Sequence, residues 1–211
     1  MDWRAMVFLG AYHGINPGMG WLFAVALGLQ QGSARGVWRA LPPMVAGHAL
    51  SVGVVLVTVG LAQVVISPDA LHVLVAAMLI SMGLYRLWRH GHPRFGGMQV
   101  GFRDLTVWSF LMASAHGAGL MVLPFVMRPP PPLSAASHAH VHHMASASTN
   151  VAALDAMALA VHTLAYFVVT ACVAWVVYRK LGLSLLRTAW FNMDWVWAAA
   201  LVVTGIVVLF H

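Results

Sequence analysis

Six apolar runs, at residues 5–30, 43–66, 70–88, 105–127, 151–178 and 190–210, take up most of this 211-residue chain. Each is long enough to cross about 30 Å of hydrocarbon, which takes about 20 helical residues. The connections between them are short, so no separate soluble domain accompanies the helices. Composition agrees: 61% of residues are hydrophobic and 8% are charged, whereas soluble domains run near 25% charged. A water-soluble globule is excluded, and the lipid bilayer is the expected partner of an all-α integral membrane protein with six transmembrane helices. The first run has no basic leader and is interrupted by His13 and Asn16, so it reads as a mature helix rather than a signal peptide.

Basic residues in short loops stay on the cytoplasmic side. Arg35 and Arg39 follow the first run, Arg86, Arg89, Arg94 and Arg103 lie between the third and fourth, and Arg179, Lys180 and Arg187 lie between the fifth and sixth. Only Arg4 and Arg128 fall on the other side. Both termini are therefore predicted to be extracytoplasmic, in an inner (cytoplasmic) membrane. The net charge of +6 is a topology signal and calls for no nucleic acid partner.

The segment 128–150 opens with Arg128 and four prolines and continues with His138, His140, His142 and His143 among Ala and Ser. Such composition predicts an extended, mobile extracytoplasmic loop. Neutral imidazoles recruit transition ions; the alternative is a linker with incidental histidines.

The chain also contains a three-helix unit twice. Residues 10–20 carry His13-Gly14 with Pro17 following, and residues 113–124 carry His116-Gly117 with Pro124 following. The next run in each half holds one histidine: His48, with Ser51 a turn later, and His162. The units span residues 1–103 and 104–211, the second including the Pro/His-rich loop. Three helices is an odd number, so the second copy enters from the opposite side and the repeat is inverted, three plus three. Inverted repeats of this kind occur in secondary transporters, whose sites lie near the midplane beside broken helices. Pro17 removes a backbone donor and predicts such a break in the first run. Gly10, Gly14 and Gly18 form a small-residue ridge for close helix packing, and packing alone is the other reading of those glycines.

Polar groups at bilayer depth are costly unless paired or hydrated. His13 and Asn16 share a helical face, and Asp155, His162 and Tyr166 fall on one stripe. Asp155 is placed to orient an imidazole or draw in a cation. Taken singly, each histidine is equally well explained as an interhelical polar contact. Together, His13, His48, His116 and His162 occupy matched positions and predict a shared site. The chain has five Asp, no Glu and twelve His. An oxygen cage for calcium or magnesium is therefore disfavoured, while imidazole suits nickel, cobalt, zinc and copper. One cysteine, Cys172, excludes an internal disulfide and multi-cysteine clusters. No phosphate-binding Gly-x-x-x-x-Gly-Lys loop and no His-Glu-x-x-His helix occur. Ser51 and Ser114 lack an Asp in obvious reach, so the chain does not read as an enzyme.

The stretch 12–20, with His13, Pro17, Gly18 and Gly20, followed by His48 and Ser51, resembles the first two helices of the RcnA/NicO-type nickel/cobalt efflux family, within the lysine-exporter-like (LysE) transporter superfamily. Met19 stands where that family has a second histidine and Trp21 where it has lysine. The resemblance implies a multipass transporter that exports a divalent transition-metal cation, with no tightly bound cofactor. The expected ion path comprises His13, Asn16, Pro17, His48, Ser51, His116, His162 and Asp155, with transient metal ligation by the four membrane histidines and by those of the loop. Six helices are few for a complete pathway, which is compatible with a homodimer. Two other readings remain open: an exporter of an amino acid or small organic solute, and a non-transporting membrane assembly factor.

Overall fold

The computed structural model of the protein describes residues 2–63, 65–88, 101–126, 141–181 and 190–210. All regular structure among them is helical. Helix α1 (Trp3–Ile15) leads through a 3-10 turn (Pro17–Met19) into α2 (Trp21–Gln30); α3 (Ala34–Ala62) and α4 (Pro68–Trp88) follow. The second half comprises α5 (Phe102–Ala115), α6 (Ala118–Val126), α7 (Val141–Val176) with a π turn at Val177–Leu181, and α8 (Trp190–Phe210).

Side chains set the helix starts. The Asp2 carboxylate accepts from the backbone N–H groups of Arg4 and Ala5, and Ser33 Oγ accepts from that of Arg35, satisfying donors that have no partner inside the helix. Helix α3 begins nine residues ahead of its apolar run and passes through Pro42 and Pro43. Arg35 and Arg39 are thus helical rather than in a loop. Pro42 and Pro43 lack the N–H groups that would bond to the carbonyls of Trp38 and Arg39 one turn back, and Ser109 Oγ on α5 donates to the Met44 carbonyl just beyond them.

The expected loop at 128–150 needs correction. Its last ten residues belong to α7, which starts at Val141. Ala-rich sequence after the proline run favours helix, and nothing between Val141 and Asn150 breaks it. Residues 127–140, with His138 and His140, lie outside the described residues, as do Arg89, Arg94 and Arg187 of the charge count.

Among the described residues, α3 and the stretch Ala152–Lys180 are long and apolar enough to cross a membrane, and α5 with α6 makes a third candidate bent by 59°. The first apolar run is divided. Asn16 leaves the helix in an extended conformation, its Oδ1 accepts from the Gly18 N–H at 2.9 Å, and α2 restarts after Gly20 at a φ of 145°. The break predicted at Pro17 is therefore present. The break in the fourth run has a different cause: Gly117 adopts a φ of +67°, a left-handed conformation that ends α5.

The most extensive packing joins α1 to α7, α3 to α5 and α4 to α8, and α3 also lies against α2, α6 and α7. Close approach needs missing side chains. A Cβ on Gly10 would collide with the His162 carbonyl oxygen, and one on Gly14 would stand 2.8 Å from that of Tyr166. Gly47 does the same for α3 against the Thr106 carbonyl on α5. Gly18 leaves this ridge and sits in the turn. One apolar cluster gathers Met6, Val52, Leu79, Met121 and Leu201, and another gathers Trp21, Leu41, Met44 and Ala174. On α3, His48 falls midway between Met44 of one and Val52 of the other.

Gly47→Ala should cost about 1–3 kcal/mol through overpacking, since its Cβ would meet backbone that cannot turn aside. Gly60→Ala on the same helix, where a Cβ meets nothing within 4 Å, should be neutral or stabilising by up to about 1 kcal/mol. Thermal unfolding in detergent compares the two. Equal stability of the variants would show that α3 and α5 do not approach as described.

Candidate functional site

Three helices each bring one imidazole to a common point. His13 lies in the last turn of α1, His48 near the middle of α3, and His162 on α7; all three are fully buried. Their ring centroids form a triangle of 5.5 Å (His13 to His48), 5.1 Å (His13 to His162) and 5.4 Å (His48 to His162). His48 Nε2 and His162 Nε2 are 3.2 Å apart, so one ring donates and the other accepts. His48 Nδ1 is buried with no hydrogen-bond partner among the described residues.

His13 Nδ1 faces the carbonyl of Leu9 one turn back at 2.5 Å. A carbonyl can only accept, so Nδ1 carries the hydrogen and Nε2 keeps its lone pair. His116, at the end of α5, repeats this: its Nδ1 donates to the Met112 carbonyl at 2.7 Å. Metal-bound histidines characteristically donate their other N–H to such a group. His116 is buried and meets the broken turn, where a Cβ on Gly18 would stand 3.7 Å from its Cε1 and Nε2.

The turn is tied to the histidines by Tyr166. Its ring stacks on His48 with centroids 4.0 Å apart, and its hydroxyl donates to the Met19 carbonyl at 2.5 Å. Trp21 Nε1 donates to the Ile15 carbonyl at 2.8 Å, and Thr170 Oγ1 to that of Gly14 at 3.5 Å. These bonds absorb carbonyls that the break leaves without helical donors.

The remaining candidates divide. Asn16 and Pro17 form the turn itself, both buried. Ser51, one turn beyond His48, shares a 2.9 Å hydrogen bond with Ser114 of α5. Asp155 is half-buried and two turns before His162, about 10 Å along the axis. His142 and His143 fall in the first turn of α7, about 30 Å of helix from His162. Among the described residues no group of three or more His, Cys, Asp or Glu is set out as a ready metal centre; the imidazoles contact one another instead. Tyr166 had no assigned role in the sequence, although its position one turn after His162 put it on the right stripe. Ser114 was legible only as a hydroxyl in an apolar run, which needs a partner.

Tyr166→Phe should keep the stack on His48 and lose the bond to the Met19 carbonyl, leaving that acceptor unpaired. The expected cost is about 1–3 kcal/mol, read as a lowered unfolding temperature in detergent. An unchanged temperature would mean that the hydroxyl does not hold the turn. Compared with known proteins, the chain matches no family model, and no curated protein or solved structure shows significant similarity to it.

Proposed function

We propose that the protein is a secondary-active membrane transporter of a divalent transition-metal cation (nickel, cobalt, zinc or copper), with His13, His48 and His162 as transient ligands and His116 adjoining them. The observation that carries this reading is the meeting of three buried imidazoles from three separate helices. Two nitrogens on a tetrahedral ion with bonds of about 2.05 Å stand about 3.3 Å apart. The 3.2 Å between His48 Nε2 and His162 Nε2 therefore suits a shared ion as well as a shared hydrogen. The Nδ1 bonds of His13 and His116 to backbone carbonyls hold both rings in the tautomer that coordinates through Nε2.

The proposal includes six membrane-crossing segments in an inverted three-plus-three repeat, in the inner membrane with both termini outside. Packing supports it: an exchange of the two halves turns the α1 contact with α7 into the α5 contact with α3, and both are extensive. The first segment of each half is broken beside its histidine. Levels support it too. Trp3 on α1 and Trp38 on α3, both exposed, each precede their histidine by ten residues, about 15 Å of helix. On antiparallel segments this puts tryptophans at both faces of a slab about 30 Å thick, the hydrocarbon thickness, with the histidines at its middle. Export is the direction that the likeness to nickel/cobalt efflux proteins suggests.

Elemental analysis and calorimetry on the full chain in detergent test the reading. Wild type should bind one of the four ions stoichiometrically. His13→Ala, His48→Ala and His162→Ala should each weaken binding more than about tenfold, while deletion of residues 138–143 should leave it. Metal that disappears with the deletion, or that survives all three alanine variants, would move the site out of the membrane core. An absence of binding accompanied by uptake of an organic solute would favour the amino-acid exporter.

A further inference from the structure

We infer that the corner where α3 begins and α7 ends binds the headgroup of an anionic phospholipid. This rests on the membrane reading above but not on the identity of the transported ion. The ring of Trp38 meets that of Trp175 at 5.7 Å between centroids, and the Arg179 guanidinium lies 4.9 Å over the Trp175 ring. Arg35 is three residues before Trp38 and shares its helical face. Arg39 and Lys180 flank the pair, and all four cations are exposed. The corner is firmly built: a Cβ on Gly28 at the end of α2 would run into Val37 of α3 and the Tyr178 ring beyond α7.

The occupant follows from depth and charge. Trp38 is ten residues from His48 and Trp175 thirteen from His162, about 15 and 20 Å of helix. With the histidines at mid-bilayer, the tryptophans reach the headgroup boundary, where indole rings are favoured. Arg179, a turn beyond Trp175, is about 25 Å of helix from His162 and so lies outside the hydrocarbon, at headgroup level. Its guanidinium lies over the Trp175 indole and has N–H groups to offer a phosphate, whose oxygens a planar fork matches with two bonds. Arg35 supplies a second cation from another helix, so one phosphate would bridge α3 and α7, the two helices that also carry His48 and His162.

Native mass spectrometry of the full chain, released from detergent with equal amounts of dioleoyl phosphatidylglycerol and dioleoyl phosphatidylcholine, tests this. Wild type should retain phosphatidylglycerol in preference. The Arg35→Gln, Arg179→Gln double variant should lose that preference by about tenfold or more, while Arg4→Gln at the opposite face should keep it. Unfolding temperatures in phosphatidylcholine should match for all three proteins, which separates lost binding from lost folding; if the double variant unfolds early, Trp175→Leu replaces it with the same expectation. Equal retention of both lipids by wild type, or an unchanged preference in these variants, would overturn the lipid site alone. Failure of the protein to incorporate into vesicles of either lipid would overturn the membrane reading and the lipid site with it.

Discussion

The packing of the described helices turns on three imidazoles buried at one point, which satisfy one another only in part. His48 and His162 share a hydrogen bond, His13 donates to the Leu9 carbonyl, and His48 Nδ1 has no partner among the described residues. An unsatisfied buried polar group costs about 1–3 kcal/mol, whereas an interhelical hydrogen bond in a membrane protein contributes about 0.6 kcal/mol on average. The penalty outweighs the gain, so the cluster is a cost to stability that the surrounding packing has to carry. For His13, His48 and His162 to meet, α1, α3 and α7 must come within side-chain reach of a single point. Gly10 and Gly14 let α1 lie on the α7 backbone, and Gly47 lets α3 lie on α5. The glycines and the histidines are therefore one device: neither set has its observed surroundings without the other.

The break after His13 adds a second account to be balanced. A helix that ends at Ile15 leaves its last carbonyls without donors, and in the proposed bilayer setting no water would be at hand to replace them. Thr170 from α7 reaches Gly14, Trp21 from α2 reaches Ile15, and Tyr166 from α7 reaches Met19. Two of these three donors come from the helix that carries His162. The turn is thereby fastened to α7 on the same side as the imidazole cluster, and Tyr166 serves both, stacked on His48 at one end and bonded to the turn at the other. A displacement of the turn away from the cluster would have to break the Tyr166–Met19 bond.

Much of this was legible in the sequence, for identifiable reasons. Apolar runs and a near absence of charge dictate helices in lipid, and a proline after a polar pair marks the break at Asn16–Gly20. Matched histidines in two halves predicted one site shared by four; ring contacts join His13, His48 and His162, and His116 stands at the broken turn. What spacing could not supply was geometry across the chain. The break at Gly117 depends on a single left-handed residue in the run His116-Gly117-Ala118-Gly119, where glycine is equally at home in a straight membrane helix. The start of α7 at Val141 was hidden because Ala, Ser and His after a proline run read as linker by composition. The start of α3 ahead of Pro42 and Pro43 was hidden because prolines read as boundaries. Asp155 was read as placed to orient an imidazole or draw in a cation; it stands seven residues, about 10 Å of helix, from His162.

The chemistry of imidazole also bears on why the cluster is built from histidines and not from carboxylates. A carboxylate at mid-bilayer costs about 2.5–3.5 kcal/mol even on permissive scales, and when ionised it needs a cation at all times. A neutral imidazole carries a lone pair for a metal ion and, without one, can give or take a hydrogen bond with another imidazole. The His48–His162 contact is that second arrangement. A transporter has to hold its cargo and then release it, so its site must be tolerable in both conditions. Under the proposed transport function, three neutral imidazoles in contact serve this demand without a net charge in the membrane, which three ionised carboxylates could not do.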